Sequence, residues 1–229
     1  MKEMHLSVDE LLAFISGANI VGQGSMGILY ELGQDEVFKF NYKDFIDEFA
    51  VDGNKINLRK VSGDVASAIK DRKMIDRIVY RDGEKEIVKA VRKMADRRPN
   101  MKHNTLPKGV VYVQDYPVGF ILERQYDMVN LYEHIMSFGL SEEEVSAISQ
   151  SVRLAVRELA DNNIYHFDLT ARNILYNPNT MAIQIVDFED SVRVCDSEDR
   201  GYLATMTQEV WAINKFMKNH MVNCTSPQM

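Results

Sequence analysis

Cysteine is nearly missing from this chain: only Cys195 and Cys224 occur in 229 residues, in unlike contexts. Two such residues spell neither a disulfide framework nor a metal-ligand spacing, so a reducing cytosol is the expected setting. Long apolar runs are missing as well, and none approaches the length that spans a bilayer. The opening "MKEMHLSVDELLAF" has acidic residues where a signal peptide needs an apolar core, so Sec-type export is not expected. Positive charge is in deficit, with 27 Lys and Arg against 34 Asp and Glu and a net charge of −7. That balance speaks against nucleic-acid binding, since phosphate backbones attract basic surfaces. There is no internal repeat and no low-complexity tract. What is present is an ordinary globular mixture, 45% hydrophobic and 27% charged, enough for one medium domain or two small lobes.

The order of elements points to an α+β fold with two unequal lobes. "SVDELLAFISG" reads as a capped helix from Ser7 that Gly17 ends. "NIVGQGSMGILYELGQDEVFKFNY" reads as two or three strands with a turn at Gly33–Glu36. Residues 43–81 are charged and partly helical, and Gly83–Arg98 is a strongly periodic helix. "VVYVQDYPVGFILER" reads as a hairpin that turns at Tyr116–Gly119. A short helix over Asn130–Phe138 precedes a long one opened by a capping box of Ser141 and Glu144. "IYHFDLTARNILYN" and "AIQIVDFED" then supply a strand, a polar turn and further strand. A polar segment to about Gly201 leads to a last helix, "TQEVWAINKFMKNHM".

Three stretches carry chemistry. The glycines of "GQGSMG", Gly22, Gly24 and Gly27, let backbone amides approach phosphate oxygens without a Cβ in the way. A tight glycine turn between strands explains them about equally well. A dinucleotide-binding loop has to enter a helix, and here "ILYEL" continues as strand, so the Rossmann alternative falls. Lys39 in "EVFKF" faces solvent if the sheet has a wet side; facing inward it needs an anion, because burying a lone ammonium is costly. Phosphate could supply that anion, and so could Glu84 or Glu86. His166, Asp168 and Asn173 form H-x-D-x-x-x-x-N, with Asp187 in "IVDF" on the next strand. Asn173 and Asp187 offer hard oxygens suited to Mg²⁺, and Asp168 could accept a hydroxyl proton. His166 is expected to brace the loop rather than to react. A polar turn alone explains any one of these residues but not their joint spacing.

Taken in order, "GQGSMGILY", "VFKF", "HFDLTARNIL" and "VDFED" resemble the glycine loop, strand lysine, catalytic loop and metal-binding Asp of protein kinases. The resemblance runs from about Asn19 to Met217. It implies a two-lobed kinase-like domain over 1–229: a small β-rich N-lobe at 19–122, with an insertion at about 43–81, and a reduced helical C-lobe at 127–229. It implies ATP and Mg²⁺ as cofactors, with Gly22, Gln23, Gly24, Ser25, Met26, Gly27 and Leu29 over the nucleotide. Lys39 would be held by Glu84, the first glutamate of a helix that resembles the one pairing with that lysine. Leu122 falls at the gatekeeper, and Glu123 to Tyr126, Gln125 among them, fall at the adenine hinge. Asp168 would be the catalytic base, Asn173 and Asp187 the metal ligands, and His166 and Arg172 supporting residues. "QEVWAINKF" is similar to a large-lobe helix, with Glu209 in place of the usual Asp.

The departures are as specific. Phe167 replaces the arginine that usually precedes the catalytic Asp, so a loop phosphate has no receiver. Glu189 stands where "DFG" has its glycine, and no "APE" follows. A shortened large lobe is similar to the small secreted effector kinases of bacteria, which implies the host cytosol as a second possible location and an activating protein partner. Thr170 stands where serine/threonine kinases carry Lys, and "DLTARN" leans toward tyrosine kinases through Arg172. The compact bacterial kinases favour serine or threonine as the acceptor. Two other functions compete with a protein kinase. One is a small-molecule phosphotransferase of the aminoglycoside or choline kinase kind, which shares the loop. The other is a pseudokinase serving as a binding module.

Overall fold

The chain divides into two compact units, one of Met1–Ala95 with Pro107–Arg124, the other of Asp96–Leu106 with Gln125–Met229. The structure, a computed structural model, describes residues 2–23, 27–40, 51–52, 55–56, 101–113, 116–188, 192–194 and 200–222. Its class is mixed α+β, with a sheet in the first unit and most of the described helix in the second. No helix among the described residues is long and apolar enough to cross a membrane.

In the first unit, β2 (Ile20–Gln23), β3 (Ile28–Glu31) and β4 (Glu36–Phe40) pair as an antiparallel meander. β4 pairs with β8 (Tyr116–Glu123), which pairs with β7 (Gly109–Val113). The sheet is completed by β1 (Lys2–Leu6), parallel to β7, in the order β1-β7-β8-β4-β3-β2. The N-terminal strand is absent from the sequence-based expectation, because "KEMHL" shows no clean apolar alternation and its partner lies far along the chain.

Helix α1 (Val8–Gly17) begins where the Ser7 side chain accepts from the Glu10 amide, and Glu10 reaches back to the Ser7 amide. That reciprocal box satisfies orphan amides of the first turn. α1 lays Leu11 and Ile15 on one face of the sheet, against Tyr30, Phe38, Phe40, Val111, Val113 and Ile121. Phe14 adds edge-on contacts to Tyr30 and Phe38.

The hairpin differs from expectation in one respect. Tyr116–Gly119 lie in β8 and not in the turn, with Tyr116 opposite Val113 and Gly119 opposite Phe40. Pro117 sits opposite Tyr112, where the ladder shifts register. A bulge is one of the few places in a sheet where a residue without an amide hydrogen is tolerated. Of the region 43–81, only the short ladder of β5 (Val51–Asp52) and β6 (Lys55–Ile56) is described. The helix expected over 83–98 lies outside the described residues.

In the second unit, β9 (Val129–Asn130) leads into α2 (Leu131–Phe138), capped by the Asn130 side chain on the Glu133 amide. α3 (Glu142–Ala160) opens with the Ser141–Glu144 box and buries Val145, Ile148, Val152, Ala155 and Leu159 along one stripe. β10 (Ile164–His166), β11 (Ile174–Tyr176) and β12 (Ile183–Ile185) follow, with the three-stranded order β12-β11-β9. β10 pairs with β13 (Val192–Val194), a strand within the stretch expected to be merely polar. The last helix, α4 (Arg200–Asn219), starts well before the expected Thr207. Its added turns let Tyr202 meet Tyr165 and Phe167.

The segment Asp96–Leu106 belongs to this unit although both flanks belong to the other. Asn104 bridges to Ile185, Ile185 donates its amide to the His103 carbonyl, and Thr105 donates to the Ile185 carbonyl. His103 and Asn104 also converge on Glu158 of α3, which accepts from the His103 amide at 3.0 Å and from the Asn104 amide group at 3.0 Å.

Candidate functional site

In the first unit, a row of paired residues runs across four strands: Gly22 opposite Leu29, Leu29 opposite Lys39, and Lys39 opposite Phe120. Side chains alternate between the faces of a strand. Phe38 and Phe40 point at α1, so Lys39 projects from the opposite face. It is 9% exposed, so the solvent-facing alternative for this lysine does not hold. A Cβ at Gly22 would come 3.0 Å from the Leu29 Cδ1 atom, so a side chain at Gly22 would press on the residue beside Lys39. Gly27 is buried, and Gln23 ends β2. Gly24, Ser25 and Met26 lie outside the described residues, as do Glu84 and Glu86.

Leu122 and Glu123 close β8, opposite Val37 and Glu36. Leu122 is half-buried, while Glu123 is exposed and pairs with Lys108 at 3.2 Å. Arg124 binds Glu31 through its guanidinium and the Asp35 carbonyl through its amide. Gln125 is half-buried and opens the second unit.

In the second unit, His166, Asp168, Asn173 and the segment ending at Asp187 are tied into one lattice. The Asp168 amide can only donate, and it points at His166 Nδ1, 3.2 Å away. That nitrogen is therefore bare, and the proton sits on Nε2, which donates to the Val186 carbonyl at 3.0 Å. Asn173 donates through Nδ2 to both the backbone oxygen and Oδ2 of Asp168, at 2.8 and 2.9 Å. Its own carbonyl accepts from the Val186 amide at 2.9 Å. A 3₁₀ turn, Ala171–Asn173, makes this possible by folding Asn173 back toward Asp168.

The lattice leaves particular atoms available. Asp168 is exposed, and its Oδ1 accepts no hydrogen bond among the described residues. Asn173 is 9% exposed, and with its amide nitrogen committed to Asp168, its carboxamide oxygen remains to meet a cation or ligand. Asp187 is half-buried and has φ 68°, the left-handed region that a non-glycine residue enters at a cost of roughly 1–2 kcal/mol. Neighbours on both sides hold it there. Val186 is bound through both amide and carbonyl, and Phe188 is fully buried edge-on against the His166 ring.

Electrostatics follow the packing. Burial holds the His166 pKa below its ordinary value, although the Val186 carbonyl and the charges of Asp187 and Asp168 pull it back up. The ring is therefore neutral at pH 7 and serves as a fixed donor and acceptor. Burial pushes the Glu209 carboxyl up; the Leu169 amide opposes this, and the charge of Asp168 adds to it. Glu209 Oε1 accepts from that amide at 3.4 Å, while Oε2 is buried with no partner.

Asn173 and Asp187 supply two hard oxygens, a set too small to hold a divalent cation unaided. No group of three His, Cys, Asp or Glu among the described residues could hold a metal ion. Magnesium ordinarily takes one or two protein oxygens and completes its shell with water and phosphate. Asn173 and Asp187 would suit only a cation that brings most of its own ligands.

Arg172 is exposed and lies 4.3 Å over the Tyr132 ring, while its backbone oxygen accepts from Asn130 at 2.7 Å. Asn130 thus caps α2 and holds the loop at once. Glu209, Asn130 and Tyr132 support the loop without having been assigned that part from sequence. Glu209 alone carried a signal, through its place in "QEVWAINKF". Glu189 lies outside the described residues. A scan against protein-family models matches none, and no curated protein matches this chain.

Proposed function

We propose that this chain is an ATP- and Mg²⁺-dependent protein kinase of the two-lobed kinase-like fold, transferring the γ-phosphate to a serine or threonine hydroxyl of a protein. One observation carries the reading: Asn173 fixes one carboxylate oxygen of Asp168 at 2.9 Å and leaves the other open on an exposed side chain. A base needs that arrangement, with one oxygen anchored for aim and one free to accept a proton. In the transfer, the acceptor oxygen forms its bond to the γ-phosphorus while the bond to the departing ADP oxygen breaks. The hydroxyl proton passes to Asp168 Oδ1.

Asn173 and Asp187 would hold Mg²⁺, which when bound offsets charge on the phosphate oxygens. Lys39 would meet the α and β oxygens, and the glycines at 22, 24 and 27 would cover the phosphates. Glu84 would hold Lys39, and Leu122, Glu123 and Gln125 would border the adenine. Catalysis of this kind is mostly positioning and charge stabilisation.

The test is incubation of the purified protein and Asp187→Ala with labelled ATP, Mg²⁺, a generic protein acceptor and a cell lysate. Label on a protein, lost in the variant, supports the reading, and phosphoamino-acid analysis names the acceptor. Wild-type turnover by Asp187→Ala would sink it. Transfer to small alcohols with no protein present would replace it with a small-molecule phosphotransferase. Nucleotide binding without transfer to any acceptor would replace it with a pseudokinase.

A further inference from the structure

Within the second unit, α3 and α4 run antiparallel and are joined by a 2.6 Å hydrogen bond from Ser149 Oγ to Asn214 Oδ1. Beside that bond lies an open groove of about 840 Å³. Exposed apolar surface comes from Trp211 and Met221, with the buried Val145 beneath, and charge from Arg153, Lys215 and Lys218. Trp211 is 64% exposed and is the only tryptophan of the chain. Lys215 Nζ sits 5.0 Å from the centre of its ring.

The three cations have no carboxylate partner among the described residues, and Glu142 is the one acid bordering the groove. In a chain with 34 acids and 27 bases, three cations around one exposed indole, without a carboxylate partner among the described residues, form a local reversal of sign. Tryptophan and arginine are the residues most enriched where binding energy concentrates. A trough between two antiparallel helices is also the natural seat for a third, whose ridges enter the groove between them.

We propose that this groove docks an acidic amphipathic helix of a partner protein, its apolar residues on Trp211 and Met221 and its carboxylates on Arg153, Lys215 and Lys218. Charge complementarity selects this occupant: an acidic helix meets three cations that have no carboxylate partner among the described residues. The assignment stands apart from phosphoryl transfer, since none of these residues belongs to the loop around Asp168.

The test is selection of a displayed library of helical peptides on the full chain, followed by measurement on the R153E/K215E/K218E variant. Selected peptides are expected to be net acidic with apolar residues at i and i+4, to blue-shift Trp211 emission, and to bind the variant at least tenfold more weakly. The milder R153Q/K215Q/K218Q variant, checked for an unchanged melting temperature, should show an intermediate loss. Neutral or basic selected peptides, undiminished binding to the folded variants, or an unmoved Trp211 spectrum would each overturn the proposal. So would anionic vesicles or self-association taking the place of peptide binding, with the same dependence on the three cations.

Discussion

Asn173 Nδ2 stands 2.8 Å from the backbone oxygen of Asp168 and 2.9 Å from its Oδ2, so a single amide sets both the course of the loop and the aim of the carboxylate. Asn173→Ala should therefore cost twice. Losing two bonds to a buried donor should lower stability by about 1–3 kcal/mol. Phosphoryl transfer should fall by roughly 10² or more, the usual worth of a positioned acid–base group. Chemical denaturation and a labelled-ATP assay read the two effects separately. An unchanged rate in a destabilised variant would show that Asp168 keeps its aim without help.

His166 gives a pH prediction with a definite sign. Burial lowers its folded pKa, so the unfolded chain binds the extra proton more readily. Its contribution is fully present above the unfolded value, about 6.5, and is lost as pH falls from there toward the folded value. His166→Gln should remove that part of the acid loss while lowering stability at pH 7 by roughly 2 kcal/mol, through broken hydrogen bonds and poorer packing on Phe188. Denaturant midpoints measured from pH 5 to 8 on both proteins check this.

Glu209 should act in the opposite direction. Its carboxyl is raised, chiefly by burial, so the ionised form is the costly one and stability is drained as pH rises through the folded pKa. Glu209→Gln retains an acceptor for the Leu169 amide and carries no charge. The variant should melt higher than wild type at pH 8 and about equally at pH 4, a crossover that scanning calorimetry resolves. A lower melting temperature at pH 8 would mean that the charge has a stabilising partner.

Two glycines offer a paired test. A Cβ at Gly119 would sit 2.1 Å from the Lys39 carbonyl oxygen, a backbone atom that cannot move without opening the β4–β8 ladder. Gly119→Ala should destabilise by about 1–3 kcal/mol or more. At Gly17, the last residue of α1, nothing lies within 4 Å. Gly17→Ala should be neutral or stabilising by about 0.5–1 kcal/mol.

Local signals were legible where the physics is local. The capping boxes at Ser7 and Ser141 announce α1 and α3, because the bonds they predict close within four residues. The expectation that His166 braces the loop matches its bonds to the Asp168 amide and the Val186 carbonyl. Long-range pairing left no comparable trace. Nothing in "KEMHL" announces a parallel partner at Gly109–Val113, and nothing in "VRV" announces Ile164–His166. The turn expected at Tyr116–Gly119 is strand instead, because a proline at a bulge and one in a turn look alike in sequence. Around the loop, the support from Glu209 and Asn130 depends on which helix ends face it, which spacing does not encode.

The exchange of segment 96–106 between the units sets the order in which this protein can be made. A ribosome releasing the chain delivers β1 to β4 long before β7 and β8, so the sheet lacks two of its six strands until Glu123 has emerged. Residues 101–106 emerge between them, and must then wait for α3 and β12 before His103 meets Glu158 and Asn104 meets Ile185. No single cut in the polypeptide yields either unit whole. The two are interleaved along the chain, and each must be assembled from pieces separated in time.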